Sequence, residues 1–542
     1  MAQWNKNTQD YLNQERTLHE VYLQADRWGK IISPSQSERS AFGEVSVVES
    51  TPVFQLDGLY GLDDSNEFVK NYSLTGTQFV DDYGLISVST GIGIGAFSSL
   101  RSNRSVRYRP GQGSMARFTA MWVNGFTPGY QQVAGFINQS DVLAVGYNYG
   151  DPSVGIGTSS EFGIVRRNYS KGQVWELDVN ASASGSENIT ITLNGVGFNT
   201  TVTSGTTRFN AAQIASNPGI YTGWIVDYCD DKVWFLSDGP PSQLNGVFSV
   251  VNNTGGGTFV AVGSTIQAGS PPTDNWIYQS DFNIDKLDGS GPSRMTLDTS
   301  KLNVFQIEFQ WLGAGGLQFS IEDNSTGKIV PFHHINYTGF NTVPSISNPS
   351  MRIGYAVVNA VPSLGTGEDV IIKGGAIQGS IQGKIKQNIL PRSITNNKIT
   401  STSSGTKQHI LTLKNNRINV SGTTGIVNQR ELVVDFITAG AFINTGKGLV
   451  LIEIYKNAQT SITREYQIIN NETTYSTTNT TLSSSNTGQL ISSFVINSDQ
   501  TLSEKLTDFR ITISPSETVS IIVTPLNNSV DQIECGLTFT AE

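Results

Sequence analysis

The sequence predicts a mainly β protein, built from two or more antiparallel β-sandwich or jelly-roll domains with a small ββαββ insert and an N-terminal helix. The 542 residues include 55 glycines but only 15% charged residues, a composition that favours strands and tight turns. Apolar and polar residues alternate along most of the chain, and clusters of Gly, Asn, Asp and Pro separate the alternating segments. The length exceeds what a single core usually serves, so we expect several domains.

The N-terminal segment, residues 1–40, is expected to anchor or oligomerise the protein through a helix. This helix would run from about Thr8, which can cap it, to about Lys30, and no proline interrupts it. Apolar residues recur every seven positions, as in a short heptad that can join identical helices; they are Tyr11, Leu18 and Ala25. Docking of the helix onto a partner or onto the body of the protein is the alternative.

Residues 41–385 are expected to form a β-sandwich module. In one predicted strand, Phe118, Ala120 and Trp122 share one face, while Arg117 and Thr119 share the other. Residues 304–311 repeat this pattern, with aromatic and aliphatic side chains at every second position. Such alternation is typical of strands that cover a core with one face.

A change of pattern within this module predicts a ββαββ insert at about residues 186–240. Strands are expected near 189–193 and 200–203, a short helix at about 207–215, and strands at 224–228 and 232–236. Gly239-Pro240-Pro241 then provides an exit into a loop.

Residues 386–406 are expected to be a linker, because they combine Pro391 with Asn, Ser and Thr and offer little to bury. The C-terminal segment, residues 407–542, contains about eight strand candidates at a spacing that favours a jelly-roll-like sandwich. Such sandwiches often form trimers, and we therefore expect a homo-oligomer with a trimer favoured.

Charge and cysteine content exclude several classes of protein. A net charge of −10 and a pI near 5.1 oppose binding to a phosphate backbone, so no nucleic-acid partner is expected. No apolar run approaches the roughly 20 residues of a membrane span, and no leader-like start is apparent, so assembly in a cytosol is expected. The two cysteines, Cys229 and Cys535, are too far apart for a metal knuckle and are expected to be buried thiols.

Catalytic and metal signatures are weak, so we predict no enzyme activity, no cofactor and no metal site. His333 and His334 are adjacent and would point to opposite faces of a strand, while the other histidines are His19 and His409. Glu308 and Glu322 lie on neighbouring predicted strands and could converge as the acid and base of a glycosidase, which needs two carboxylates. Glu308 alternates with aromatic residues and is expected on the exposed face instead.

Two loops invite a binding interpretation that their spacing does not support. Asp281, Asp285 and Asp288 could offer oxygens to calcium, but the alternating ligand rhythm is missing, so solvated turn carboxylates are expected. Gly91, Gly93 and Gly95 resemble a nucleotide loop only superficially, because no convincing helix follows them.

Two groups of side chains are candidates for recognising a glycan. The one basic cluster could bind a sulfated glycan or an acidic subunit, or could serve structural salt bridges; it consists of Arg101, Arg104, Arg107 and Arg109. Aromatic side chains that could stack on sugars, or could instead cover the end of a core, are Trp276, Tyr278 and Tyr337.

The segment RYRPGQG at residues 107–113, followed by ARFTA at 116–120, resembles a module in structural proteins of large algal DNA viruses and marine phages. Further stretches resemble other parts of that module; they lie at residues 41–45, 52–57, 286–289, 303–307 and 344–349. The C-terminal segment is similar, at the level of fold pattern, to head domains of viral fibres. The insert resembles small units of tail and capsid accessory proteins.

The resemblance implies a virion structural protein, such as a minor capsid, fibre or decoration protein, that acts through protein–protein assembly and host attachment. Expected partners are other capsid or tail subunits, further copies of the chain, and a host-surface glycan. The expected location is the outer capsid or a fibre, after assembly in the host cytoplasm. A carbohydrate-binding adhesin is the first alternative, and a glycan depolymerase is the second.

Overall fold

A computed structural model describes residues 50–541 apart from short stretches. The predicted N-terminal helix at residues 1–40 lies outside the described residues. The stretches left out are 63–66, 74, 139, 151–158, 169–170, 238–243, 272, 362–366, 384–390, 397–403, 420–426, 429, 443–447, 460–463, 471–472, 478–479, 482–487, 499 and 507–510.

The prediction of a mainly β, antiparallel protein is confirmed, because every strand pair that the structure describes is antiparallel. The chain divides into two compact units. Unit 1 contains residues up to 170 and residues 272–386, and unit 2 contains residues 171–271 and 387–542. No helix among the described residues has the length and hydropathy of a membrane span.

Unit 1 is a sandwich of a nine-stranded and a seven-stranded sheet. The nine-stranded sheet has the order β20-β19-β18-β6-β22-β4-β3, with β23 beside β6 and β1 beside β23, and the seven-stranded sheet has the order β17-β9-β8-β7-β21-β5-β2. The strands are β1 (Ser50–Asp57), β2 (Phe68–Ser73), β3 (Thr77–Val80), β4 (Ile86–Ser89), β5 (Phe97–Ser102), β6 (Ser114–Trp122), β7 (Tyr130–Ile137), β8 (Val142–Tyr147), β9 (Phe162–Asn168), β17 (Thr273–Tyr278), β18 (Asn303–Phe309), β19 (Leu317–Glu322), β20 (Ile329–Ile335), β21 (Ile353–Asn359), β22 (Ile371–Gly374) and β23 (Ala376–Gln382).

Aromatic side chains from both sheets fill the core of unit 1. On β6, the alternation seen in the sequence places Phe118 and Trp122 inward, and both contact the ring of Phe305 on β18, at 5.9 and 5.7 Å between centroids. Phe136 of the other sheet contacts Phe309 at 5.2 Å. The RYRPGQG motif leads directly into β6. Within it, the hydroxyl of Tyr108 accepts the N–H of Leu312 at 3.1 Å, which ties the motif to the fold.

Unit 2 contains an insert sandwich, residues 171–271, and a C-terminal sandwich, residues 387–541. The sheets have the orders β13-β14-β10-β16 and β12-β11-β15 in the insert sandwich, and β24-β35-β26-β32 (with β33 beside β26) and β28-β29-β25-β34-β27-β31 (with β30 beside β25) in the C-terminal sandwich. The elements are β10 (Val174–Ala181), β11 (Glu187–Leu193), β12 (Val196–Val202), α1 (Thr207–Ala215), β13 (Trp224–Cys229), β14 (Lys232–Ser237), β15 (Ser249–Asn252), β16 (Val260–Gln267), β24 (Arg392–Asn396), β25 (Gln408–Asn415), β26 (Leu432–Phe442), β27 (Leu449–Lys456), β28 (Gln467–Asn470), β29 (Thr473–Ser476), β30 (Thr480–Thr481), β31 (Gln489–Asn497), β32 (Thr501–Lys505), β33 (Thr512–Ile513), β34 (Thr518–Pro525) and β35 (Gln532–Ala541).

The insert is larger than the predicted ββαββ unit at 186–240, although α1 has the predicted bounds. Thr206 caps this helix by accepting the N–H of Phe209 at 3.0 Å. The four predicted strands do not form a sheet of their own: β13 and β14 pair with each other and β14 with β10, whereas β11 and β12 pair with each other and β11 with β15. The strands β10, β15 and β16 lie outside the predicted bounds of 186–240. One sheet of the insert contains β10 and β16, and the other contains β15.

The predicted linker at 386–406 contains a strand, β24, that pairs with β35. Its side chain Ile394 is buried in the core of the C-terminal sandwich, where it packs with residues such as Leu537 of β35. The composition of the segment concealed this strand, because Ile394 is the one apolar residue among the five residues of β24.

The insert sandwich packs against the C-terminal sandwich within unit 2. Cys229 and Trp234 of the insert lie in one buried apolar cluster with Ile418 and Tyr466. The backbone N–H of Asp230 also donates to the carbonyl of Tyr466 at 3.2 Å. The insert therefore belongs to the C-terminal part of the chain and not, as the sequence suggested, to the 41–385 module.

Candidate functional site

Two of the three predicted sugar-stacking aromatics lie together on β17, an edge strand of the seven-stranded sheet. Ile277 packs against the core of unit 1, so Trp276 and Tyr278 project from the opposite, outer face of that sheet. Their rings are nearly parallel, with 12° between the planes and 6.3 Å between the centroids. We call these two residues the aromatic pair.

The polar atoms of the aromatic pair differ in their hydrogen bonding. The hydroxyl of Tyr278 accepts the amide N–H of Asn148 at 3.1 Å. The Nε1 of Trp276 is buried, and among the described residues no acceptor lies within hydrogen-bonding distance of it. An indole N–H can only donate, so an acceptor from outside the described residues would satisfy it.

Small residues lie beside the aromatic pair on the outer face. Across the strands, Tyr278 is level with Gly163 and Gly146, and Trp276 is level with Val165 and Ala144. At Gly146, which has φ 154°, a Cβ atom would approach the carbonyl oxygen of Gln132 to 1.9 Å. The strands therefore approach each other closely here. On this face Trp276 packs against a buried apolar cluster, which consists of Val133, Ile137, Val142, Ala144 and Val165.

A polar network lies on the same face. The guanidinium of Arg167 pairs with the carboxylate of Asp274, with an Nη2–Oδ2 distance of 2.7 Å, and the amide of Gln131 donates to Asp274 at 2.9 Å. Asp274 on β17 is level with Ile137 on β7, so Gln131 lies three strand steps and six residues away, about 24 Å on a flat sheet and beyond the reach of these side chains. The sheet is therefore curved, with its outer face on the inside of the curve.

The third candidate aromatic, Tyr337, is not available for stacking. Its side chain is buried, its hydroxyl donates to the carbonyl of Pro344 at 3.3 Å, and the guanidinium of Arg166 lies 4.9 Å from its ring centroid. It serves the alternative role that the sequence left open, covering part of the core.

A second aromatic surface, which the sequence analysis missed, lies on two turns of unit 1. Tyr60 is 100% exposed, Tyr83 is 87% exposed and Leu59 is 69% exposed. Backbone N–H groups of both turns donate to aspartate carboxylates, from Leu59 to Asp57 and from Tyr83 to Asp81, each at 2.9 Å. The turns are fixed by these bonds, so exposed aromatic rings are held in place there. The signal for this surface in the sequence was the presence of bulky aromatic and aliphatic residues in turns.

The predicted basic cluster is half-buried and largely engaged. Arg101 lies on β5, and Arg104, Arg107 and Arg109 lie in the segment that follows it; all four are only partly accessible. Arg101, Arg107 and Arg109 make polar or charged interactions with other parts of the chain. This arrangement is that of structural contacts, one of the two alternatives drawn from the sequence.

Glu308 and Glu322 share a sheet face but do not converge. Glu308 is opposite Gln318, whereas Glu322 lies four residues further along β19, an offset of about 13 Å. Glu308 is not on an exposed surface, which corrects the prediction. Burial raises its pKa to about 7, although a hydrogen bond with Gln306 and the charge of Arg117 act in the opposite direction.

The adjacent histidines point to opposite faces of β20. His333 is buried against Phe282 and Phe319, and its Nδ1 accepts the N–H of Asn283 at 3.2 Å, whereas His334 is half-buried. Burial, assisted by the charge of His334, lowers the pKa of His333 to about 4. His409 is buried beside Thr412, and His19 lies outside the described residues.

The acidic loop is a structural feature. Asp285 is buried and accepts the N–H groups of Leu287 and Ser293 at 2.9 and 2.8 Å, so it is not a solvated carboxylate as predicted. Asp281 and Asp288 are exposed. Over the described ranges, no three His, Cys, Asp or Glu side chains are grouped as a metal site requires.

The glycine loop and the cysteines have structural roles. The N–H of Gly93 donates to the hydroxyl of Thr75 at 2.7 Å, and the N–H of Gly91 donates to Asp369 at 2.9 Å. The loop therefore packs on its own unit. Cys229 and Cys535 are buried free thiols, and burial raises the pKa of each to about 12.

A comparison with protein-family models finds no match, and a comparison with curated proteins finds none. Among solved structures, lectin II from Ulex europaeus is 9% identical, covers 61% of this chain and all of the lectin, and gives a TM-score of 0.21. The winged bean acidic lectin complexed with methyl-α-D-galactose is 8% identical over 62% of this chain and all of the lectin, with a TM-score of 0.21. The tandem CBM22 domain of Paenibacillus barcinonensis Xyn10C is 6% identical over 92% of this chain and 99% of its own, with a TM-score of 0.16. These scores are too low to transfer a ligand or a site.

Proposed function

We propose that this protein is a non-enzymatic virion component that binds a host-surface carbohydrate through the outer face of the seven-stranded sheet. The observation that carries the proposal is the aromatic pair, two nearly parallel and partly accessible rings on an edge strand. Aromatic faces stack on the apolar faces of sugar rings.

The surroundings of the aromatic pair fit a sugar better than an apolar ligand. Asp274 and Arg167 lie on the same face, and such planar charged groups can hydrogen-bond neighbouring hydroxyls. In this arrangement the accessible parts of the two rings provide the contact area by stacking.

The virion assignment rests on the resemblance of residues 107–113 and 116–120 to the viral module. Because these residues build the entry to β6, at the centre of a sheet, the motif supports a shared fold more directly than a shared binding site. On this proposal the β-sandwiches make contacts with capsid or tail subunits. Many such contacts on one particle would raise a weak affinity for a glycan to useful avidity.

A glycan depolymerase is less well supported than a binding protein. The carboxylates considered for it, Glu308 and Glu322, are offset by about 13 Å along the sheet, and hydrolysis requires two carboxyl groups at one of two shorter separations. Incubation with the bound glycan should therefore release no shorter sugars.

Binding to a glycan array, followed by titration calorimetry on the selected glycan, tests the proposal. Tyr278→Ala should reduce affinity at least about tenfold, and Trp276→Phe should weaken it less because an aromatic ring remains. Tyr60→Ala is the matched control, since Tyr60 is an exposed aromatic of the same unit. Loss of binding in Tyr60→Ala but not in the β17 variants would move the site to the turns, and an array without any ligand would refute carbohydrate binding.

A further inference from the structure

The C-terminal sandwich has a long edge strand without charged residues or proline. β31 is nine residues long, lies at the end of its sheet, and has the sequence QLISSFVIN. It contains no charged residue and no proline, the residues with which proteins usually prevent edge strands from pairing. By contrast β32, which follows it in the chain and lies at the edge of the other sheet, carries Glu504 and Lys505.

The side chains on one face of β31 are apolar and accessible. Val495 is 57% exposed and Leu490 is 47% exposed, and both lie on the face away from the core. Ser493 lies between them. Among the residues that the structure describes, no strand pairs with the free edge of β31. An edge of this kind can pair with another strand.

The spacing of these three residues is symmetric because of a β-bulge. Along β27, the partners of Leu490, Ser493 and Val495 are Tyr455, Glu453 and Leu451, which are evenly spaced two residues apart. The bulge between Ile454 and Tyr455 accommodates the additional residue on the Leu490 side. Leu490 and Val495 are consequently equidistant from Ser493 on the same face.

We propose that β31 pairs with β31 of a second copy of this chain, antiparallel about a two-fold axis at Ser493. In that register Leu490 of each copy lies opposite Val495 of the other, so the two most exposed apolar residues of the strand cover each other. An isologous contact of this kind requires a self-complementary surface, which the symmetric spacing provides. The β31-containing sheets of the C-terminal sandwiches in two copies would continue into one sheet. The inference is independent of carbohydrate binding, and it favours a two-fold pair over the trimer expected from the sequence.

The first test is the mass of the full-length protein by analytical ultracentrifugation over a range of concentrations. The wild-type chain should form dimers, and Val495→Lys should weaken dimerisation at least about tenfold, because it places two lysines in the contact. Val262→Lys is the matched control, since Val262 is 58% exposed on β16, another edge strand of unit 2 without charged residues. It should leave the dimer unchanged. A wild-type monomer, or equal effects of both substitutions, would overturn the proposal.

The second test uses a cysteine and does not depend on destabilising the strand. In the proposed register, Ser493 is opposite its own copy, at a Cα separation of about 4.5 to 5.5 Å that allows a disulfide. Ser493→Cys should therefore give a cross-linked dimer under oxidising conditions, whereas Val495→Cys should not, because its two copies would be about 13 Å apart. The native thiols, Cys229 and Cys535, are buried and should not interfere. Equal cross-linking of both variants would contradict this register.

Discussion

Lys414 of the C-terminal sandwich forms a buried ion pair with Asp227 of the insert sandwich, 187 residues earlier in the chain. The two side chains are only 7% and 5% exposed. The ammonium group also lies 4.5 Å from the ring centroid of Tyr228 and 4.9 Å from that of Tyr466. Asp227 in turn accepts the backbone N–H of Arg417 at 2.6 Å. One cation thus connects both parts of unit 2.

Lys414→Met should destabilise unit 2 by about 3 kcal/mol, because it leaves the carboxylate of Asp227 buried without its cation. Urea denaturation monitored by tryptophan fluorescence would measure this loss. Lys232→Met is the control: Lys232 pairs with Glu176 in the same unit but is 33% exposed, so its loss should cost about 1 kcal/mol or less. Similar costs for both variants would show that the buried pair contributes no special stability.

His333 should make unit 1 less stable as the pH falls. Its native pKa is about 4 against an ordinary value of 6.5, so between these pH values the unfolded chain binds a proton that the native state does not. Stability should decrease by about 2 to 3 kcal/mol from pH 6.5 to pH 4 through this group. His333→Asn retains an acceptor for Asn283 and should remove this contribution, as thermal denaturation at several pH values would show. An unchanged pH profile would contradict the assignment.

Glu308 should make unit 1 less stable as the pH rises, over a pH range that overlaps with that of His333. Its native pKa is about 7 against an ordinary 4.5, so the native state retains a proton that the unfolded chain releases as the pH rises. Glu308→Gln should therefore stabilise unit 1 by about 2 kcal/mol above pH 7. Glu322→Gln, an exposed substitution on the neighbouring strand, should change stability by no more than about 0.5 kcal/mol. Destabilisation by Glu308→Gln at pH 8 would refute the prediction.

Ile394→Ala should destabilise the C-terminal sandwich by about 2 to 3 kcal/mol, because it removes a buried side chain from a well-packed core. Ser393→Ala on the same strand is exposed and loses only a hydrogen bond to Thr538 at 2.9 Å. Its effect should remain below about 1 kcal/mol. Chemical denaturation of both full-length variants would separate a true strand from a linker, for which neither substitution should have an effect.

Local sequence patterns predicted individual elements well. Alternation identified β6 and β18, and the short helix expected at about residues 207–215 is α1, with the same bounds. These features depend on residues that are close together in the sequence, so a local pattern is enough to predict them. The partner of the insert could not be predicted in this way, because Asp227 and Lys414 are charged residues whose burial depends on folding of the whole unit.

One local signal of that interface was nevertheless present. In β14, four consecutive residues are apolar, Val233 to Leu236, and all are buried. A strand with one solvated face alternates, so a continuous apolar run indicates that both faces are covered. The run predicts a second packing partner for the insert, although it does not say which segment provides it.

The candidate site was predictable in part. The sequence selected Trp276 and Tyr278 because aromatic residues often recognise sugars, but it selected Tyr337 for the same reason. Only the fold shows that Tyr337 is buried under Arg166, while the exposed rings of Tyr60 and Tyr83 lie on turns. Residue type states what a side chain can do, and accessibility, which depends on distant parts of the chain, determines whether it can do so.

Unit 2 is built from two segments that are distant in the sequence. This arrangement has a consequence during synthesis on the ribosome. Asp227 emerges 187 residues before Lys414, an interval of about 10 to 40 s at a translation rate of roughly 5 to 20 residues per second. Throughout this interval the insert presents the apolar side chains of Trp234 and Cys229 without their partner. The nascent chain thus passes through a stage prone to aggregation, in which a chaperone that covers apolar surface would increase the yield of folded protein.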